Sequence, residues 1–247
     1  MDRNGVAYSR EEFLICLLAR MLAGARSVAA GAGSPVPAAA ALLAQALSAG
    51  GTTAMILGSN RHGPFNDGGP ELFDRAAQGR IEAFFMGGGQ IDGAGNVNLV
   101  GAGPYPRSAV RFPGSFGTPY LYLLVPRVIL FREEHSRRVL VPKVDFVSAP
   151  GAGPEGLHRP GGPEALVTGR SVFRFDRDRR AFRLESLHPG QSLSAVRENT
   201  GFDFAVPAGV AETPPPDGAA LALLRGPVRD QMAEIYPEFT EARLGGS

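Results

Sequence analysis

Between residues 27 and 86, short apolar runs alternate with helical ones, and this alternation restricts the fold more than any other feature of the chain. Ser27 to Ala30 reads as a strand, and the glycine turn Gly31-Ala32-Gly33 leads from it into an alanine-rich helix, Ala38 to Leu47. Thr53 to Leu57 is again a buried strand, Glu71 to Gln78 a helix, and Ala83 to Met86 a strand of four apolar residues. Strands covered on both faces lose the in-out alternation of a half-exposed sheet, and consecutive parallel strands need a crossover that is usually a helix. The rhythm predicts an α/β fold, an open and largely parallel sheet with helices on both faces. Upstream, Ser9 followed by Glu12 has the form of a capping box, and Phe13, Leu14, Leu17, Leu18, Met21 and Leu22 recur at helical spacing up to Gly24.

After residue 95 the pattern changes to a β-rich region, with strands expected at Val97 to Val100, Tyr120 to Val125, Val128 to Phe131 and Val139 to Ser148. Residues 149–164 are rich in Gly and Pro with no apolar period and read as a loop or flap. Val172 to Phe175 and Ala181 to Leu187 flank the polar turn Asp176 to Arg180 as a hairpin. Ser192 to Asn199 reads as a helix stopped by Gly201, and Asp217 to Leu224 and Pro227 to Ile235 as C-terminal helices over 217–236. We read residues 1–247 as a single domain.

Charge narrows the function classes. Lys+Arg total 25 against Asp+Glu 24, and a net charge of +1 leaves no footprint for phosphate backbones or anionic membranes. Nucleic acid and membrane are therefore not expected as partners. One cysteine, Cys16, rules out an internal disulfide and any zinc site built on several thiolates, which suits a reducing cytoplasm. The apolar run Phe13 to Leu18 follows two glutamates and ends at Arg20, unlike an export signal, and Pro126 and Arg127 break the stretch Tyr120 to Phe131 well short of the ~20 residues that span a bilayer. His62, His135, His158 and His188 stand apart with no metal-ligand spacing, and no Gly-x-Ser-x-Gly elbow occurs.

Three glycine clusters carry the remaining signal. Gly31 and Gly33 precede Ser34 and Pro35 at a strand-to-helix turn, which could cradle a phosphate on backbone N–H groups or be a plain tight turn; the third glycine of the dinucleotide fingerprint is missing. Gly87, Gly88 and Gly89 follow a buried strand and open the run Gly-Gly-Gly-Gln-Ile-Asp-Gly-Ala-Gly-Asn-Val-Asn, residues 87–98. They let a backbone approach a ligand at the carboxyl end of a strand, with Gln90, Asp92, Asn96 and Asn98 touching the ligand or holding the loop. Gly114, Ser115 and Gly117 invite the same pair of readings. The run from Arg132 to Arg138 reads as a solvated turn.

Taken together, the turn at 31–35, the run at 87–98, VRFPGSFG at 110–117, EEHSRRVLVPKVDFVSAPG at 133–151 and SAVRENTGFDF at 194–204 resemble the β-subunit of class I CoA-transferases, in pattern the glutaconate CoA-transferase type. The resemblance implies a CoA-transferase-type α/β fold, a separately encoded α-subunit of similar architecture and an acyl-CoA site formed by both chains. Coenzyme A would then enter as part of the substrate, with no resident cofactor and no metal.

One departure matters for chemistry. In transferases of this family, a glutamate at the end of the strand matching Thr53 to Leu57 carries CoA as a glutamyl thioester. Here that position lies within Met55 to Asn60, with Leu57 the best single match, and no glutamate occurs from residue 13 to 70. Ser59 and Asn60 lack an evident neighbouring base, and together with His62 they would line the vacated position. Family members without this glutamate hydrolyse carbon–carbon bonds, with the carboxylate in the α-subunit, or decarboxylate, with a cysteine in its place. Cys16 lies in the first helix, in the wrong element for the second. The resemblance thus favours a hydrolase or lyase. A conventional transferase with a nucleophile such as Glu71 or from the partner, and a non-catalytic CoA-binding or stabilising partner, remain as alternatives, and the acyl group and the choice of heterodimer or heterotetramer stay open.

Overall fold

The computed structural model describes residues 7–65, 68–154 and 156–244, which divide into two compact units, 1–85 with 214–247 and 86–213. The first unit opens with α1 (Arg10–Met21), whose capping box is formed as the sequence predicts. Glu12 N–H donates to Ser9 Oγ at 3.1 Å, and Ser9 N–H donates back to the Glu12 carboxylate at 2.8 Å. β1 (Ser27–Ala30) is followed by α2 (Pro35–Leu47), then β2 (Thr53–Ile56), α3 (Gly69–Ala77) and β3 (Ala83–Met86). β1 pairs in parallel with both β2 and β3. α2 packs on α1 on one side and on β1 and β2 on another, so its residues from Val36 to Ala44 are all buried and the helix is apolar all round. It starts three residues before the expected Ala38 because proline is tolerated in a first turn, whose amides have no partner within the helix.

The second unit begins with two short antiparallel pairs. β4 (Gln90–Ile91) lies on β5 (Val97–Asn98), and β6 (Gly101–Ala102) on β7 (Val110–Arg111). α4 (Thr118–Leu124) occupies the segment Tyr120 to Val125 for which a strand is expected. Six consecutive apolar residues favour neither period; Pro119 sits in the first turn, and a helix buries Leu121 and Tyr122 while the Tyr122 hydroxyl donates to Gly95 O at 2.8 Å. β8 (Arg127–Arg132) pairs in parallel with β9 (Pro163–Thr168), a strand missed in the sequence because it begins within the Gly- and Pro-rich stretch. β10 (Ser171–Asp176) is antiparallel to β9 and to β11 (Ala181–Leu187), the expected hairpin; α5 (Leu193–Asn199), capped by Ser192, and β12 (Ala211–Glu212) complete the unit.

The strand expected at Val139 to Ser148 does not form. Pro142 has no N–H to donate, and the backbone around it serves β4 and β5 instead: Ile91 N–H donates to Val139 O at 2.8 Å, Val141 N–H to Ile91 O at 2.9 Å and Val97 N–H to Ala149 O at 2.9 Å. Back in the first unit, α6 (Gly218–Leu223) is capped by Asp217 and runs through a wide turn at Leu224–Val228, where Gly226 and Pro227 break the helical path, into α7 (Arg229–Ile235) and a further helix, α8 (Pro237–Leu244). No described helix is long and apolar enough to cross a membrane.

Candidate functional site

In the first unit, the candidate residues gather where β2 ends. Leu57 adds one more sheet bond, its N–H donating to Ala30 O at 3.1 Å. Gly58, at φ +88°, then turns the chain into a closed loop: Ser59 N–H returns to Ile56 O at 3.2 Å and Ile56 N–H reaches His62 O at 2.8 Å. The loop is so tight that a side chain at Gly63 would meet Ser59 O at 2.2 Å. Ser59 is buried, and its Oγ accepts the His62 N–H at 2.9 Å.

Sequence reasoning finds no base beside this loop, and the structure corrects that. Glu234, on α7, accepts the Asn60 N–H at 3.2 Å and the Ser59 hydroxyl at 3.5 Å. Nothing in the local sequence marks this glutamate, since it comes from the C-terminal helices. Burial first, and the Arg61 charge second, hold the His62 imidazole below its ordinary value against the opposing pull of Glu234 and Gln231. Among the described residues, its Nε2 and the Gln231 Oε1 are buried without hydrogen-bond partners. Glu71, the other carboxylate considered, is tied to Arg75 at 2.8 Å on α3. Cys16 is buried in mid-helix, and burial pushes its thiol up to about 12.

At the turn of Gly31 and Gly33, part of the first-turn amide set is taken up. Pro35 and Pro37 have no N–H, the Ser34 N–H is taken by the Tyr236 hydroxyl at 3.2 Å, and the Ala38 N–H by Ser34 O at 2.9 Å. These bonds seat the start of α2 on the turn.

In the second unit, the 87–98 run divides by role. Gly88 and Gly89 are packing glycines: a Cβ at Gly88 would stand 2.4 Å from Val97 Cγ1, and one at Gly89 2.2 Å from the Phe112 ring. Gly87 is exposed, and a Cβ there would only touch Phe131 O at 3.5 Å. The four polar side chains are spent on backbone and on each other. Asp92 accepts the N–H groups of Ala94 and Asn96, each at 3.1 Å, and Asn96 Oδ1 accepts the Gly151 N–H at 3.0 Å. Asn98 Nδ2 donates to Gln90 Oε1 at 2.7 Å, and Gln90 Nε2 to Asp145 at 2.8 Å. Gln90, Asp92 and Asn98 are buried, so this network fixes the loop. Gly114, Ser115 and Gly117 lie in a separate loop, where Gly114 and Gly117 have φ of +102° and +74° and the intervening Phe116 is 70% exposed.

The run from Arg132 to Arg138 is only partly solvated. Glu134 pairs with Arg138, but His135 is buried, with Nδ1 2.8 Å from Thr168 Oγ1 and Nε2 3.0 Å from Thr200 Oγ1. His188, 53 positions along, meets the same threonine through its carbonyl at 2.8 Å. Both histidines cross-link the second unit's core. Among the described residues, no three His, Cys, Asp or Glu side chains form a group that could hold a metal.

Comparison with known proteins gives a consistent answer. The family model for coenzyme A transferase matches residues 26–199. The β-subunit of glutaconate CoA-transferase from Acidaminococcus fermentans is 36% identical over 166 residues, 64% of this chain and 61% of that protein. The cholesterol ring-cleaving hydrolase IpdB subunit of Rhodococcus jostii is 33% identical over 165 residues, 63% of this chain. The matched stretch thus spans 61% and 62% of these two relatives' own lengths. The crystal structure of the decarboxylase AibA/AibB superposes with a TM-score of 0.77 and 27% identity over 97% of this chain and 100% of that one.

Proposed function

Because this chain belongs to the coenzyme A transferase family as a β-type subunit, we propose that it is one half of a heteromeric enzyme that hydrolyses or cleaves an acyl-CoA rather than moving CoA to a carboxylate. One observation carries the reading. The segment that ends β2, Leu57-Gly58-Ser59-Asn60, holds no carboxylate of its own, so it cannot itself form the glutamyl thioester of a ping-pong transferase. Hydrolysis needs no such adduct. Water adds its oxygen to the carbon under attack, the bond to the leaving fragment breaks, and that fragment takes up a proton. Similarity to a ring-cleaving hydrolase subunit and to a decarboxylase supports this direction, and the burial of Cys16 within α1 favours hydrolysis over a cysteine-assisted decarboxylation.

In this reading, Ser59, Asn60 and His62 line the vacated position, and CoA enters with the substrate. A separate α-subunit completes the site and supplies the essential carboxylate. Large exposed apolar side chains on the second unit, Phe116 at 70%, Tyr105 at 59% and Val110 at 54%, suit such a partner's surface.

The test is to purify the complex with its α-subunit and follow free CoA and acyl products from a panel of acyl-CoAs, with and without acetate as acceptor. Product formation independent of the acceptor is expected. Acceptor-dependent transfer, with a borohydride-reducible thioester mapped to this chain, would overturn the reading. Full activity in an intact complex carrying Asn60→Ala and Gly87→Ala would reduce the chain to a structural partner.

Glu234 favours one alternative specifically. A carboxylate bonded to the vacated loop is placed to serve as the nucleophile of a conventional CoA-transferase. Mapping the borohydride-reduced adduct to Glu234 would establish that mechanism, and its absence leaves Glu234 as an anchor of the loop.

A further inference from the structure

The Gly- and Pro-rich stretch at 149–164, which the proposed activity does not use, is not a loose flap. A Cβ at Gly151 would meet Ala94 O at 2.0 Å, and one at Gly161 would meet Leu123 C at 2.5 Å, so both ends of the loop are pressed against backbone. Between this loop and the turn joining β10 to β11 lies a cavity of about 180 Å³. It sits by Pro163, which pairs with Val128 near the start of β8, whereas Gly87 lies against Phe131 near that strand's end. The cavity and the Gly87 cradle therefore occupy opposite ends of the same strand.

Three arginines line this cavity, Arg159, Arg177 and Arg180, and among the described residues no carboxylate does. Arg159 is the informative one. Its Nη2 donates to Pro150 O at 2.5 Å and its guanidinium lies 5.3 Å from the centre of the Tyr122 ring, but among the described residues Nε and Nη1 are buried with no hydrogen-bond partner. Among the described residues, Arg159 makes no ion pair. Burial weighs against its charged form, and the neighbouring Arg177 charge adds to that. Arg177 is held on Pro160 O at 3.3 Å and Pro126 O at 3.1 Å, and Arg180 stands at φ +52°, a left-handed conformation uncommon outside glycine.

A half-buried guanidinium with two buried, unused nitrogens calls for an anion that can accept several hydrogen bonds, and neighbouring positive charges raise the charge that anion should carry. We propose that this cavity binds the phosphate end of a small molecule. At about 180 Å³ it is smaller than the ~300–1,000 Å³ pockets that enclose whole ligands, so the phosphate group enters and the remainder lies outside. That phosphate belongs either to the nucleotide end of a CoA ester or to a separate phosphorylated metabolite.

Calorimetric titration of the full-length chain, with its partner subunit where the two co-purify, uses pyrophosphate as the probe and requires no knowledge of the activity. One saturable site is expected, weakened at least about tenfold by Arg159→Met and by the double variant Arg177→Met/Arg180→Met. Arg229→Met, an exposed arginine on α7, should bind as the unaltered chain does. The double variant changes only exposed residues, so the test survives if Arg159→Met fails to fold. A second titration with 3′,5′-ADP distinguishes the sources: displacement by CoA assigns the phosphate to a CoA ester, and indifference to CoA assigns it to a separate ligand. No saturation up to about 10 mM, equal affinity in the arginine variants, or tighter binding of malonate than of pyrophosphate overturns the proposal.

Discussion

The carboxylate of Glu234 accepts the backbone N–H of Asn60 at 3.2 Å across 174 positions of sequence. α7 reaches the end of β2 because it packs on α2, and the Tyr236 hydroxyl just beyond it fastens the turn before α2 through Ser34 N–H. The loop at the end of β2 is held here by a side chain from the C-terminal helices.

This contact makes a graded prediction for two variants. The carbonyl of a Glu234→Gln side chain can still accept the Asn60 N–H, so product formation should stay within about threefold of the parent. Glu234→Ala removes the acceptor and should slow turnover further, with a stability change of about 1 kcal/mol or less for this exposed site. Equal loss in both variants, measured as steady-state rate on the same acyl-CoA, would instead mean that the negative charge takes part in the reaction.

His135 should make the fold sensitive to mild acid. Its two ring nitrogens face the Thr168 and Thr200 hydroxyls, and burial favours the neutral imidazole. Burial is the main reason its pKa falls from 6.5 to about 4, with the Arg170 charge adding to it. Between those values the unfolded chain binds the extra proton and the folded one does not, so this stability is fully present above about pH 6.5 and declines as pH falls to about 4. The contribution is at most about 3 kcal/mol. Urea unfolding at several pH values should show a shallower slope for His135→Gln than for the parent over this window, and equal slopes would remove His135 as the cause.

The three glycines at 87–89 should separate in their effects. Gly88→Ala and Gly89→Ala force a methyl into Val97 and Phe112 and should each cost about 1–3 kcal/mol by thermal melting. Gly87→Ala meets only ordinary contact and should melt as the parent does. A fall in activity of Gly87→Ala at unchanged stability would identify it as the glycine that faces the substrate; a lowered melting temperature there contradicts the division.

Cys16 should be inert in the folded protein. It is 1% exposed, and burial pushes its thiol up to about 12, so at pH 8 almost none is thiolate. Ellman's reagent should find no fast-reacting thiol until denaturant is added, and rapid labelling of the native chain would contradict its placement in the core of the first unit.

Local chemistry makes much of this fold legible. The Ser9–Glu12 box, the three strands from Ser27 to Met86 and the hairpin around Asp176–Arg180 each carry their signal within a few residues, because capping, buried parallel strands and tight turns are short-range events. Tyr120 to Val125 is ambiguous for the opposite reason: six consecutive apolar side chains favour neither period, and the Tyr122–Gly95 bond selects the helix. Val139 to Ser148 has the composition of a strand, but its backbone partners, Ile91 and Val97, lie within the 87–98 run.

The order of residues was enough to establish the α/β class, the places of the glycine clusters, the family resemblance and the absence of a glutamate at the end of β2. What stands near that vacancy emerged only on folding. The folded chain brings Glu234 to Ser59 and Asn60, spends Gln90, Asp92, Asn96 and Asn98 on their own loop, joins His135 and His188 at Thr168, and gathers Arg159 with Arg177 and Arg180. A sequence shows which groups exist, but hydrogen bonding and burial depend on distances of a few ångströms between residues far apart in the chain, and those distances are set by how the elements pack.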